Sequence, residues 1–464
     1  MRVSRPARAA AAAAAVLAAA SCILAGVAGG VTVTYRSRFD TRVLAHVPNP
    51  GYPALSLVSR DRRFIYVGTF TNAAGTDTGP SKVFKYSPSG KLLHTYVVKG
   101  QTPGAAHGVQ VAAEDRAGGL YLLDQNPARI VRLNPRTGEQ RTYARFHDVQ
   151  PCVPEMAPQD CGDTVMDNPP EPDYAAWGTD GVLYVTDYTQ GLIWRVPTGG
   201  GNAHVWFTDP RLDGSLFGPA GIVMMPDHRT LMLSTSAGGA TSPDATTGEL
   251  YKLPILPNRR PGPLVKIWES GPKEAPDGFA LARSGNVYLA LVGPDVNQLV
   301  VISPTGTELA RFPGDTSGDN DSKVPFDEPS SVQFIGRRLI VTNDAYISGD
   351  HSHHVIFDVW AGERGAPVFI SGLPKYHLRV RPRSVTQGTR HTFRFHAKRN
   401  DKPAKHALVR FAGLRVRTDR HGNAKIRTRL GSGRPVWVAR LSVGPRLKVV
   451  ARAKVAVLAP GAGR

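Results

Sequence analysis

The stretch DGFALARSGNVYLALVGPDVNQLVVISPTGTELARF, Asp277 to Phe312, reads as a short apolar strand, a Ser-Gly-Asn turn, a second apolar strand and a loop. A third alternating strand, a Pro-Thr-Gly turn and a fourth strand complete it. The same order recurs from His107 in HGVQVAAEDRAGGLYLLDQNPARIVRLNPRTGEQRTYARF and from Asp173 in DYAAWGTDGVLYVTDYTQGLIWRVPTGGGNAHVWF. Weaker copies begin near Pro53, Ala220 and Ser330, so six units follow one another at a spacing of about 50 residues. Period-2 alternation marks half-buried strands, and no helical period interrupts it. One four-stranded sheet cannot bury both of its faces alone. Six consecutive sheets solve that problem by packing around a ring, which predicts a six-bladed β-propeller. Separate β-sandwiches of roughly 100 residues each would not fit the spacing. The segment Arg42–Val47 offers an extra strand that would close the ring on the last blade.

Outward from this core the chain changes character twice. Arg2, Arg5 and Arg8 precede an uncharged run from Ala9 to Val33, the charged and apolar regions of an export signal. The run is also long enough to span a bilayer as an uncleaved anchor. Residues 1–34 are therefore expected to be a signal peptide or membrane anchor, placing the rest outside the cytoplasm, secreted or associated with the cell envelope. Among the three cysteines, Cys152 and Cys161 remain in the exported part, and in an oxidising compartment they are expected to form a disulfide that staples the loop before Asp173.

Residues 35–374 form the expected propeller. From Lys375 to Arg464 the alternation pairs apolar with basic residues, with 24 Lys and Arg against only Asp401 and Asp419. Residues 1–374 hold 33 basic and 35 acidic residues, so the net charge of +20 belongs to the C-terminal fifth. A basic β-sandwich over 375–464 is expected to attract an anionic envelope polymer or lipid head groups, while the lack of interleaved aromatics disfavours nucleic acid. The chain carries no nucleotide loop, dinucleotide fingerprint or haem motif.

Strand parity locates the candidate site. In a four-stranded meander, the entry into the first strand and the turn between the second and third lie at one end of the ring. That end also receives the longest loops, including NDAYISGDHSHH from Asn343 with its cluster His351, His353 and His354. Loops carried on a rigid scaffold are where binding chemistry concentrates. His107, Asp173 and Asp277 begin three inner strands and are expected to converge on the central channel as ligands of a divalent cation, zinc or calcium. Their mixed nitrogen and oxygen donors favour zinc.

At these residues the chain resembles the gluconolactonase and regucalcin-like family of six-bladed propellers, most clearly in PDYAAWGTDGVLYVTD and APDGFALARSGNVYLA. The resemblance implies hydrolysis of lactones or related esters, assisted by a cation held by a Glu, an Asn and an Asp. Asp277 matches the family Asp and would serve as the base. His107 stands at the Glu position, Ala220 at the Asn position, and Asp173 at an auxiliary Asn position. Tyr174 and Ser330 are expected to orient the small-molecule substrate. Because two of three ligands differ, a non-catalytic ligand-binding propeller of the envelope is the competing reading. The C-terminal segment resembles immunoglobulin-like modules, through ALVRFAGLRVRTDRHGNAKIRTRL.

Overall fold

The computed structural model describes residues 35, 37–71, 79–150, 169–212, 217–237, 247–293, 296–372, 376–399, 402–443 and 448–459. The described residues are almost wholly β, with two single-turn 3-10 helices. Six antiparallel sheets follow in chain order. Their inner strands are Ser56–Val58, Val109–Glu114, Pro172–Trp177, Pro219–Met224, Pro276–Leu281 and Pro329–Ile335. Each inner strand packs on the next, and the sixth packs on the first, so the ring is closed. The chain is a six-bladed β-propeller followed by a β-sandwich.

The apolar residues explain why the sheets stack. Each hydrophobic cluster of the ring joins two consecutive blades. Tyr121, Leu123 and Ile130 of the second blade meet Trp177, Leu183 and Trp194 of the third. Met232, Leu250 and Trp268 of the fourth meet Phe279, Leu289 and Val300 of the fifth. Ile335, Ile340 and Ile356 of the sixth meet Ile65, Val67 and Phe84 of the first. Burying one such side chain stabilises by about 1.5–3 kcal/mol.

The ring closes where the sequence suggested. Thr41–His46 pairs with Val355–Trp360 as the fourth strand of the last blade. Asp358 secures this closure, accepting hydrogen bonds from Arg42 Nε at 2.8 Å, Arg338 Nη1 at 2.7 Å and Tyr35 Oη at 2.8 Å. A short strand, Gly201–Asn202, extends the second blade by parallel pairing with Gln140–Arg145.

Beyond Tyr376, two sheets share one core built on Phe393, Phe395, Phe411, Leu441 and Val455. Arg and Lys alternate with these core residues and face solvent, as the period-2 pattern predicts. The candidate export segment, Cys152 and Cys161 lie outside the described residues.

Candidate functional site at the loop-rich end of the channel

Four inner strands begin with a proline, in Pro172-Asp173-Tyr174, Pro219-Ala220-Gly221, Pro276-Asp277-Gly278 and Pro329-Ser330. In each, the proline pairs with the second strand of its blade, at Asp187, Thr235, Leu291 and Asn343 respectively, and the register then slips before regular pairing resumes. Such a bulge re-aims the residues within it. Asp173, Ala220, Asp277 and Ser330 all occupy this irregular step.

The step also seals one blade to the next. Thr186 Oγ1 donates to the Ala220 carbonyl at 2.7 Å, and Ser234 Oγ donates to the Asp277 carbonyl at 2.7 Å. Thr342 Oγ1 donates to the Ala54 carbonyl at 2.9 Å. In the fifth blade, Ala290 occupies the corresponding place and has no hydroxyl to offer Ser330. The missing donor comes from the opposite blade: Tyr174 Oη reaches the Ser330 carbonyl at 3.0 Å. Because blades three and six face each other, this buried side chain crosses the channel.

Tyr174 thereby divides the channel. On one side, toward the ends of the inner strands, lies a largely apolar cavity of about 190 Å³ lined by Leu57, Val111, Ala176, Met224, Leu281 and Phe369, among others. The segment after the last blade, Ala366–Ile370, runs along this cavity.

On the other side stands an acidic chamber. Burial and the neighbouring Asp277 and Glu171 hold the Asp173 carboxyl well above the usual carboxylate range. Burial pushes Asp277 up to about 8, and the neighbouring Tyr174 hydroxyl opposes the shift. Glu171 is raised to about 7 by burial and by Asp187. Asp344 is raised by burial, Glu328 and Asp277. Tyr188 lines the same space, its hydroxyl kept protonated by burial and the charges of Asp277 and Asp173. Asp187 fixes the chamber wall by accepting bonds from Glu171 N at 3.1 Å, Gln190 Nε2 at 3.0 Å and Trp194 Nε1 at 2.7 Å.

Acceptors dominate this chamber. Gln110 donates its amide nitrogen to Asp173 Oδ1, while Gln110 Oε1, on a side chain only 3% exposed, has no hydrogen-bond partner among the described residues. Asp344 Oδ1 likewise has none.

The structure brings together Asp173 and Asp277, two of the three expected metal ligands. His107 is buried, its backbone clasped by Thr71 through bonds of 2.9 and 3.2 Å, and its Nδ1 has no partner. Its charge is felt by Asp124 in the next strand. Among the described residues no three His, Cys, Asp or Glu side chains stand together in a group that could hold a metal ion, so the expected His107–Asp173–Asp277 set is not assembled as a cage. His107 precedes its strand without the proline bulge that turns the two aspartates. Ser330 spends its hydroxyl on the Ala54 carbonyl at 2.8 Å. In the last blade's loop, His353 Nδ1 lies 2.8 Å from Asp327 Oδ2, and His354 packs under Tyr52 with ring centroids 4.3 Å apart.

Tyr174→Phe removes a hydroxyl whose presence lowers the proton affinity of Asp277. The Asp277 titration, followed by carboxyl carbon NMR, is expected to move upward, with a stability loss of about 1–2 kcal/mol from the orphaned Ser330 carbonyl.

No protein family profile matches the chain, and no curated protein matches it. Among solved structures it is similar to virginiamycin B lyase from Staphylococcus aureus, at 16% identity and TM-score 0.41, over 68% of this chain and 82% of the lyase. It is similar to the PQQ-bound aldose sugar dehydrogenase from Streptomyces coelicolor at 14% identity and TM-score 0.42, over 70% and 99%. An auxiliary nutrient binding protein from Bacteroides thetaiotaomicron aligns at 11% identity and TM-score 0.44, over 67% and 69%.

Proposed function

We propose that the propeller is a binding protein for a small cationic molecule, a protonated amine, taken into the acidic chamber between Asp173 and Asp277. One observation carries this reading. The carboxyls of Asp173 and Asp277 are both held above the ordinary value, Asp173 partly by the charge of Asp277, and among the described residues two polar atoms near them, Gln110 Oε1 and Asp344 Oδ1, are acceptors without donors. An ammonium group supplies N–H donors and the compensating positive charge at once. Charge-assisted bonds of this type are about twice as strong as neutral ones.

The Arg-flanked apolar run of residues 9–33 supports an exported protein, working outside the cytoplasm. The basic C-terminal sandwich supports retention at an anionic envelope component. Kinship with the gluconolactonase family, and metal-assisted hydrolysis of lactones or esters, are carried over by Asp277 alone, because the positions of the other two ligands hold His107 and Ala220.

The test is calorimetric titration of the full chain with small primary and secondary amines, and in parallel with calcium and zinc. For amines, affinity should rise up to about tenfold per pH unit between pH 6 and 8, with proton release, because the bound form requires ionised carboxylates. Stoichiometric metal binding accompanied by lactone or ester hydrolysis, with no amine bound, would replace this reading with the hydrolase.

A further inference from the structure

The register of the C-terminal sandwich aligns four arginines across four neighbouring strands. Leu414–Arg417, Leu408–Phe411, Val436–Val443 and Lys448–Leu458 lie side by side in one sheet. Arg415 pairs directly with Arg410, Arg410 with Arg440, and Arg440 with Arg452. Directly paired residues project from the same face, and all four are exposed. At about 4.8 Å between strands, the row spans about 14 Å. Val409, Phe411, Ala439 and Leu441 point the other way, into the core, so the face is fixed by the hydrophobic pattern.

Like charges placed opposite each other on paired strands are destabilising. Nothing in the packing requires arginine at these four positions, and three successive like-charge pairings oppose the sheet they decorate. Beside the row runs a groove lined by Arg410, Arg415, Arg434, Trp437, Val438 and Arg440. Arg434 lies over the Trp437 ring, its Cζ 5.6 Å from the ring centroid. The groove therefore joins guanidinium forks to an apolar strip at Val436 and Val438.

We propose that this row and groove bind a linear polyol-phosphate polymer, laid across the strands with successive phosphodiesters on successive arginines. This deepens the envelope-retention reading above and rests on it. Guanidinium forks match phosphate oxygens in a bidentate manner. The polyol carbons between phosphates would lie against Val436 and Val438, which share the face of Arg440. The second sheet carries a shorter basic row, in which Arg381 pairs with Arg394 and Arg394 with Lys425, three residues against four.

The probe is a synthetic glycerol-phosphate decamer titrated into the full chain at physiological salt. One variant carries Arg410→Gln, Arg415→Gln, Arg440→Gln and Arg452→Gln. Its control carries Arg379→Gln, Arg381→Gln, Arg394→Gln and Arg427→Gln, which removes the same charge from the other sheet. The row variant should lose at least about 100-fold in affinity. By analogy with single-stranded polyphosphates, its log–log salt slope should shrink by about 3, while the control loses less than about threefold. The melting temperature of the row variant should be unchanged or higher, which separates lost binding from lost folding. Equal losses in the two variants would show diffuse charge and overturn the row. Binding to phosphatidylglycerol vesicles but not to the decamer would overturn the polymer and assign the face to a membrane. Amine binding by the propeller, measured on the same variants, should not change, so failure here is distinguishable from failure of the acidic chamber.

Discussion

Asp277→Asn is expected to raise the stability of the propeller at pH 8 and to reduce its gain on acidification. The carboxyls of Asp173 and Asp277 are both held above the ordinary value of 3.8, Asp277 at about 8, chiefly by burial. Between the unfolded value near 4 and the folded value near 8, the native state holds more protons than the unfolded chain. Stability must then fall as pH rises through that window and level off above it. Each pH unit across it costs up to about 1.4 kcal/mol per group. Asparagine keeps the shape, removes one titrating site and frees Asp173 from its neighbour's charge. The slope of melting temperature against pH from 5 to 8 should accordingly be shallower in the variant, and its melting temperature at pH 8 higher by several degrees. Amine affinity should drop by at least about 50-fold in the same protein, since the uncharged amide no longer attracts a cation. Parallel pH curves for the two proteins would mean that Asp277 is not the group titrating in the chamber. The chamber thus stores an unfavourable charge arrangement that a bound cation relieves, a trade between stability and binding of the kind functional sites make.

The fold was legible because its signal is repeated. Each four-strand unit could be compared with its neighbours, and the closing strand at Thr41–His46 showed as an apolar alternation with no partner in its own unit. The site was half legible. Asp173 and Asp277 could be found from their common place at the start of inner strands. Glu171 and Asp344 were missed, although the same parity argument puts the exit of each second strand at that end of the ring, where Asp344 follows Asn343. Gln110 was hidden for a different reason. It lies three residues past His107 within the strand Val109–Glu114, and only the packed ring shows that its amide meets Asp173. His107 differs from the two aspartates in local geometry. Equal offset in the repeat does not give equal orientation when one copy, GAAHG, lacks the proline that introduces the bulge. For Tyr174 the type of neighbour was foreseen and the partner was not. Its hydrogen bond follows from Ala290 in a distant blade lacking a hydroxyl, a compensation that no single unit reveals.

Gly278→Ala is expected to damage the channel, costing about 2–5 kcal/mol and displacing Tyr174. Gly278 lies within the strand Pro276–Leu281. A Cβ there would stand 2.7 Å from the Ser330 carbonyl oxygen and 2.8 Å from Ser331 Cα, and closer still to Tyr174 Oη. The first two atoms are backbone of the neighbouring inner strand, which cannot retreat without opening the seam between blades five and six. Overpacking of a well-filled core commonly costs about 1–3 kcal/mol, and loss of the Tyr174 bond to Ser330 adds about 1–2. A double-mutant cycle with Tyr174→Phe divides the two contributions, because the phenyl ring relieves only the contact with the hydroxyl. If backbone crowding dominates, the double variant should recover less than half of the loss, measured by urea unfolding. Full recovery would place the whole constraint on the tyrosine hydroxyl. A Gly278→Ala protein as stable as the parent would mean that the inner strands do not approach each other as closely as the crossing of Tyr174 requires, and the division of the channel into two chambers would fall with it.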